Sequence, residues 1–149
     1  MTPADCAKWY RRQAQELGDR ADRALSKAAA RGAKLARERT VEIGAVDTGR
    51  FARSWQAETR PDGYAVVDTA PYAGYADQGR PPGSPPPVTE IVRWVERKFR
   101  LPGPAAWAAA RKIAEHIAAR GVRGAHILEW LAQRLEIVIP QEIEKEFSR

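Results

Sequence analysis

The 149-residue sequence predicts an α+β fold: a long N-terminal helix, a small antiparallel β-hairpin or sheet, a proline-rich loop, and two to three C-terminal helices. Three observations predict it. After Pro3 no proline interrupts the chain as far as Ile43, and the only glycines there are Gly18 and Gly32. Beyond Gly44 the apolar period changes from helical to alternating around Pro61-Asp62-Gly63. Between Gly79 and Pro87 stand five prolines, and helical periodicity resumes after them. A chain of this length fits one domain, residues 1–149, in four stretches. These are the helix 1–43, a hairpin and motif region 44–79, the proline-rich loop 80–87 and a helical part 88–149.

The first helix is rich in alanine, a strong helix former. Tyr10, Ala14, Leu17, Ala21, Ala24, Ala28 and Leu35 recur at three- and four-residue steps. That spacing gives a narrow seam of mostly small side chains, suited to close packing against another helix. Ser54–Arg60 and Tyr64–Thr69 then read as two strands joined by a tight turn. Trp55, Ala57 and Thr59 share one face of the first strand, as Tyr64 and Val66 do of the second, which gives the hairpin an aromatic side to lay on a helix.

The prolines of the loop forbid helix and favour an extended, stiff segment. A helix from Val88 to Phe99 follows, with Ile91, Val92, Trp94, Val95 and Phe99 as its inward side, and Leu101-Pro102-Gly103 ends it. Pro104 opens the next helix, whose stripe is Trp107, Ala110, Ile113, Ala114 and Ile117, and Gly121 closes it. The last segment aligns Leu128, Leu131, Leu135 and Val138, then meets Pro140, which is expected to kink the helix or to start a short terminal one.

With 30% charged residues and no apolar run near the roughly 20 residues a spanning helix needs, the chain reads as a protein without a membrane segment. The N-terminus carries Asp5, Lys8, Arg11 and Arg12 instead of a signal-peptide apolar stretch. The single cysteine, Cys6, offers no internal disulfide, and no Cys/His spacing suits a metal. His116 and His126 lie on separate elements. No nucleophile elbow, phosphate-binding loop or dinucleotide fingerprint occurs. A pair such as Asp47 and Asp68 across the hairpin is the kind of coincidence any sequence contains. The expectation is therefore no enzyme, with no catalytic residue, no metal and no cofactor.

The formal net charge of +6 favours acidic or polyanionic partners. Arg20, Arg23, Lys27, Arg31 and Lys34 line one side of the first helix, where residues 1–43 hold ten Lys plus Arg against six Asp plus Glu. Such a stripe suits phosphate neutralisation. The alternative function from another class is thus a basic helical DNA-binding protein using these five residues. Against it, a charged stripe is ordinarily a solvated face, with Asp19 and Glu38 placed for helix-local ion pairs.

The middle of the chain reads Val46-Asp47-Thr48-Gly49-Arg50-Phe51, then Ser54-Trp55, the hairpin, and Tyr72-Ala73-Gly74-Tyr75-Ala76-Asp77-Gln78-Gly79. This set resembles the tail-component, or tail-completion, family of long-tailed bacteriophages. There a long N-terminal helix leads to an Asp-Thr-Gly-Arg turn and a Ser-bearing strand. A Tyr-Ala segment ending acid-x-Gly and a proline-rich loop follow, before C-terminal helices. The order of elements agrees over most of the chain and the motifs over Val46 to Pro87. Asp77 stands where the family more often has Glu, Ala45-Val46 where proline is frequent, and Gln78 where an aromatic is frequent.

Physically, Asp47 and Thr48 suit hydrogen bonds to nearby backbone, and Gly49 supplies unusual dihedrals at a helix-to-strand corner. Tyr72 and Tyr75, three apart, are expected to pack together on one helical turn, with Gly79 releasing the chain into the loop. Arg80, Pro81, Pro82, Pro85, Pro86 and Pro87, with Trp94, are the expected contact surface for a neighbouring subunit. Five tryptophans, Trp9, Trp55, Trp94, Trp107 and Trp130, exceed the needs of a small core and favour interfaces.

The resemblance implies a structural virion protein of the phage neck or tail. Its subunits form a ring that completes the tail or joins it to the head-tail connector, after assembly in the host bacterial cytoplasm. Implied partners are further copies of itself, connector or adaptor proteins, and tail terminator or tail tube proteins, with non-specific contact to DNA in the lumen.

Overall fold

The computed structural model describes residues 1–45 and 48–149, so the expectations placed on Val46 and Asp47 lie outside the described residues. Helix α1 runs unbroken over Pro3–Glu42. Its start is fixed locally: Thr2 Oγ1 accepts from the Asp5 amide at 3.2 Å, and Asp5 Oδ2 accepts from the Thr2 amide at 2.9 Å. This reciprocal capping box satisfies two amides that a helix end leaves without partners, with Pro3 just inside it. At 1.5 Å per residue, α1 is about 60 Å long.

A one-turn helix, α2 (Arg50–Arg53), leads into strands β1 (Trp55–Arg60) and β2 (Gly63–Asp68). They pair antiparallel from Trp55↔Asp68 to Arg60↔Gly63. The turn is therefore Pro61-Asp62 alone, and Gly63 opens the second strand instead of belonging to the turn. Helix α3 (Ala73–Gln78) and the two-residue strand β3 (Gly79–Arg80) precede the proline loop. After it come α4 (Val88–Phe99), α5 (Gly103–Arg120), β4 (Val122–Arg123) and α6 (Ile127–Phe147). The predicted α+β class is observed, with its long N-terminal helix, small antiparallel sheet and C-terminal helices. Strands β3 and β4, a second tiny antiparallel pair, were not expected from the sequence.

Helix α1 is the spine. Its alanines Ala24, Ala28, Ala29, Ala33 and Ala36 are buried where α6 and the hairpin lie against it. Gly32 marks the closest approach: a methyl there would stand 3.0 Å from both a Leu135 and a Val66 side-chain carbon. Small residues at this crossing let helix and sheet both approach α1. The core around it joins Ala36, Phe51, Trp55, Ala70, Ile127 and Leu131. A second cluster, Val92, Val95, Ala106 and Ala110, closes α4 on α5.

Trp55 is 1% exposed, and its indole Nε1 donates to Thr40 Oγ1 at 3.0 Å. The Thr40 hydroxyl donates in turn to the Ala36 carbonyl at 2.7 Å, and the Arg37 guanidinium grips the Trp55 carbonyl through Nε and Nη2 at 2.9 and 2.7 Å. The hairpin's inward side is thus Trp55, Tyr64 and Val66. Ala57 and Thr59 share that side of the pleat but remain exposed.

Several packing expectations are corrected. No separate terminal helix starts at Pro140: α6 continues through it, with Pro140 on the exposed face, where water can serve the freed carbonyl of the preceding turn. Phe99 is 55%, Trp107 41% and Leu128 47% exposed, so none belongs to the inward stripe assigned to it. On α5 the inward face is Ala106, Ala110 and Ala114, which lets α4 approach closely and leaves Trp107 at the edge.

Candidate functional site

The motif residues build two joints. At the first, Gly49 takes a φ of 77° as the residue preceding α2, the left-handed conformation expected of it. Arg53 Nη2 donates to the Thr48 carbonyl at 3.3 Å across the same turn. The Ser54 hydroxyl lies 2.7 Å from Asp68 Oδ1 and 2.8 Å from the Phe51 carbonyl oxygen, and Asp68 Oδ1 also accepts from the Ala70 amide at 2.7 Å. Ser54 and Asp68 thus clamp the open end of the hairpin. Asp68 is used as a structural acceptor, and its suggested carboxylate partner Asp47 lies outside the described residues. Arg50 is exposed beside the corner.

At the second joint the partners come from distant parts of the chain. Helix α6 begins after His126, which has a φ of 51° and supplies no side-chain cap. Asp77, 7% exposed on α3, caps it instead: Oδ1 accepts from the amides of Ile127 and Leu128 at 2.6 and 3.1 Å. An anionic acceptor at a helix N-terminus is favoured both by the free amides and by the helix dipole. The backbone follows suit, with Ala125 and His126 amides donating to the Ala76 and Asp77 carbonyls, each at 2.9 Å.

Next to it Gly79 pairs with Arg123, and Arg80 with Val122. A Cβ on Gly79, Gly121 or Gly124 would land on the backbone of the opposite segment, so this crossing admits only glycine. Gly79 therefore locks the chain to β4 before the loop, where release had been expected. The overlooked signal was local: Gly-Ala-His before Ile127 contains no capping residue, which implies an acceptor from elsewhere in the chain.

The loop leaves this joint with Pro81, Pro82, Pro85 and Pro87 exposed and Pro86 half-buried. The Gly83 amide ties it to the Ala118 carbonyl at 2.9 Å, and the Arg80 guanidinium donates to the Ser84 carbonyl within the loop itself. Pro85, Pro86 and Pro87 form one wall of a groove of about 560 Å³, facing Tyr72, Tyr75 and Val122. Tyr72 packs on Phe51, with ring centroids 6.2 Å apart, and not on Tyr75, which is 74% exposed. Ala73, between the tyrosine positions, turns toward the Trp55 core. Trp94 is not part of this groove. It is half-buried, meets Phe99 edge-on at 5.4 Å, and lines a neighbouring apolar groove with Ile91, Ile113 and Ile117. Of the tryptophans expected at interfaces, Trp55 serves the chain's own core, while Trp9 is 53% and Trp107 41% exposed.

The basic stripe of α1 faces α6. Arg23 Nε and Lys27 Nζ lie 2.9 and 2.7 Å from the two carboxylate oxygens of Glu146, and Arg20 Nη2 donates to the Glu146 carbonyl at 2.7 Å. Arg31 binds Glu142 and Gln141, each at 3.0 Å, and Lys34 lies 3.8 Å from Glu38, the helix-local pair foreseen. Asp19 instead accepts from Gln15. Four of the five cations are thus committed to the C-terminal helix.

Hydrogen bonds from Lys27 and Arg23 hold the Glu146 carboxyl at about 2, against its ordinary 4.5. Those from Lys145 and Arg31 hold Glu142 below its ordinary value. A carboxyl whose folded pKa is depressed stabilises the fold fully above its unfolded pKa, and that contribution is lost as pH falls through the folded value. The melting temperature should therefore fall as pH drops from about 4.5 toward about 2. Glu146→Gln should melt below the parent at pH 6 and converge with it at the acid end. Parallel pH profiles for the two proteins would contradict this role.

Among the described residues no group of three or more His, Cys, Asp or Glu is placed to hold a metal ion, and no helix is long and apolar enough to cross a membrane. Residues 10–79, from the exposed arm of α1 to the Asp77–Gly79 joint, match the family model described as bacteriophage HK97-gp10, putative tail-component. The match ends on the glycine that locks β3 to β4, so it contains the first joint and the Asp77–Gly79 side of the second, and stops where the proline loop begins. The match indicates a phage tail component, a structural protein of the virion. No curated protein and no solved structure matches the chain.

Proposed function

We propose that this tail component is a ring-forming subunit of the phage neck, which completes the tail or joins it to the head-tail connector. The observation that carries it is the family match over residues 10–79; the joints that these residues form brace a proline wall and an exposed tyrosine against one open apolar groove. A stiff proline segment loses little conformational entropy on docking, so such a wall suits a permanent contact. Its work is binding. Contacts would run to further copies and to connector, adaptor, tail terminator or tail tube proteins, with Arg80 through Pro87 and Trp94 in the contact surface. The DNA-binding alternative loses its motive, since the cations from Arg20 to Arg31 already serve Glu142 and Glu146.

Removing the gene product from a producing cell should leave filled heads and separate tails that fail to join, visible by negative-stain electron microscopy. Infectious, complete particles in its absence would refute the neck assignment.

A further inference from the structure

Two exposed faces of this chain carry opposite charge and point away from its own core. Residues 80–125 hold nine Lys plus Arg against three Asp plus Glu, an excess of six that equals the net charge of the whole protein. Residues 126–149 hold three against five, an excess of two acids. The largest positive excess therefore resides on the α4–α5 hairpin and the loop before it, ahead of the excess of four in residues 1–43.

The acidic face is the outer side of α6. Its inner side carries Ile127, Leu131, Val138, Glu142 and Glu146 against α1. Half a turn around the helix, Glu129, Glu136 and Glu144 alternate with Ile137, Pro140 and Ile143, all exposed. Ile137 is 53% and Ile143 38% accessible. None of these three glutamates has a cation partner among the described residues, unlike Glu142 and Glu146.

The basic face is the turn between α4 and α5. There Phe99, 55% exposed, and Leu101, 38% exposed, alternate with Lys98 and Arg100. One turn into α5, Trp107 is 41% exposed, with Arg111 four residues on along the same side. Lys98, Arg100 and Arg111 have no acidic partner among the described residues.

We propose that the acidic and apolar outer face of α6 docks on the basic and apolar α4–α5 turn of a second copy of this chain. Each face interleaves apolar side chains with charges of one sign, so the two are complementary in both respects. A nucleic-acid backbone would match the cations but offers nothing to Phe99, Leu101 and Trp107, and it would be repelled by α6. Opposite charges across an interface set register and exclude like-charged alternatives. Because the two faces differ, the contact is head-to-tail, which repeats from copy to copy and closes into a ring when the rotation permits. The inference rests on the reading of the chain as a self-assembling subunit and names the surfaces that reading lacks.

Sedimentation velocity of the full chain tests it, using Glu136→Lys with Glu144→Lys as one variant and Lys98→Glu with Arg100→Glu as another. All four changes are on exposed positions, and circular dichroism checks that each variant is folded. The parent should associate, and more weakly as salt rises from about 0.05 to 0.5 M. Each variant alone should associate at least about tenfold more weakly, and an equal mixture should recover the parent's assembly, because each reversed face then meets its opposite. A parent that stays monomeric at low salt, variants that assemble like the parent, or a mixture that restores nothing would overturn the proposal. Locating the chain in particles by electron microscopy separates the two claims. A ring at the neck with charge-insensitive assembly leaves the neck role standing without this interface. Charge-dependent assembly with no ring at the neck does the reverse.

Discussion

Trp55→Ala is expected to lower the free energy of unfolding by about 3 to 5 kcal/mol, the range for truncating a large buried aromatic side chain. The site has little means of collapsing. Trp55 is 1% exposed, and its neighbours Ala36 and Ala70 are too small to fill the cavity, while Phe51 is already engaged, its ring 6.0 Å from the indole. For a chain of this size the melting temperature should drop by on the order of 10 °C. Trp55→Phe separates packing from hydrogen bonding. It removes the indole donor, yet the Thr40 hydroxyl keeps its bond to the Ala36 carbonyl, so no buried donor is stranded and a loss of about 1 to 2 kcal/mol is expected. Thermal unfolding by circular dichroism measures both. Melting of Trp55→Ala within about 2 °C of the parent would mean that this indole does not hold hairpin and helix together.

Elements whose causes are local could be read from the sequence. Helix α1 needs only an alanine-rich, proline-free run, and the hairpin needs only alternation around Pro61-Asp62. The corner at Gly49 was also legible, since a glycine between a helix and a strand points to a φ that other residues avoid. What could not be read depends on residues far apart in the chain. Asp77 was recognised as a motif acid, but its role lies 50 residues away at Ile127. The basic stripe of α1 suits phosphate or a solvated face when seen alone, because its partners sit on α6.

A sign of those partners was nevertheless present. The stripe of Leu131, Leu135 and Val138 continues at helical spacing into Glu142 and Glu146. Acids on the inward face of a helix imply cations on the helix opposite. On α5 the error was one of choice: two overlapping stripes share Ala110 and Ala114, and the larger Trp107 was given the place that Ala106 holds. Small residues won because close approach of α4 and α5 left no room for an indole.

Asp77→Ala is expected to cost about 2 to 3 kcal/mol, combining the loss of a helix cap with that of a charged acceptor to two backbone amides. The loss is severe for a single side chain because the Ile127 amide is buried and has no solvent to replace Oδ1. Asp77→Asn keeps an oxygen in place and should cost roughly half as much, since the interaction of the charge with the helix dipole is worth about 1 kcal/mol. Hydrogen exchange locates the effect. The Ile127 and Leu128 amides should exchange faster in both variants, more so in Asp77→Ala, while the β1–β2 amides change only as global stability changes. The same joint sets where the proline loop leaves the body, through the β3–β4 pairing beside it. Asp77→Ala should therefore weaken particle assembly at temperatures well below its own melting point. If exchange at Ile127 and Leu128 is unaltered, the cap does not hold α6, and the place of the motif acid at the end of the family match needs another explanation.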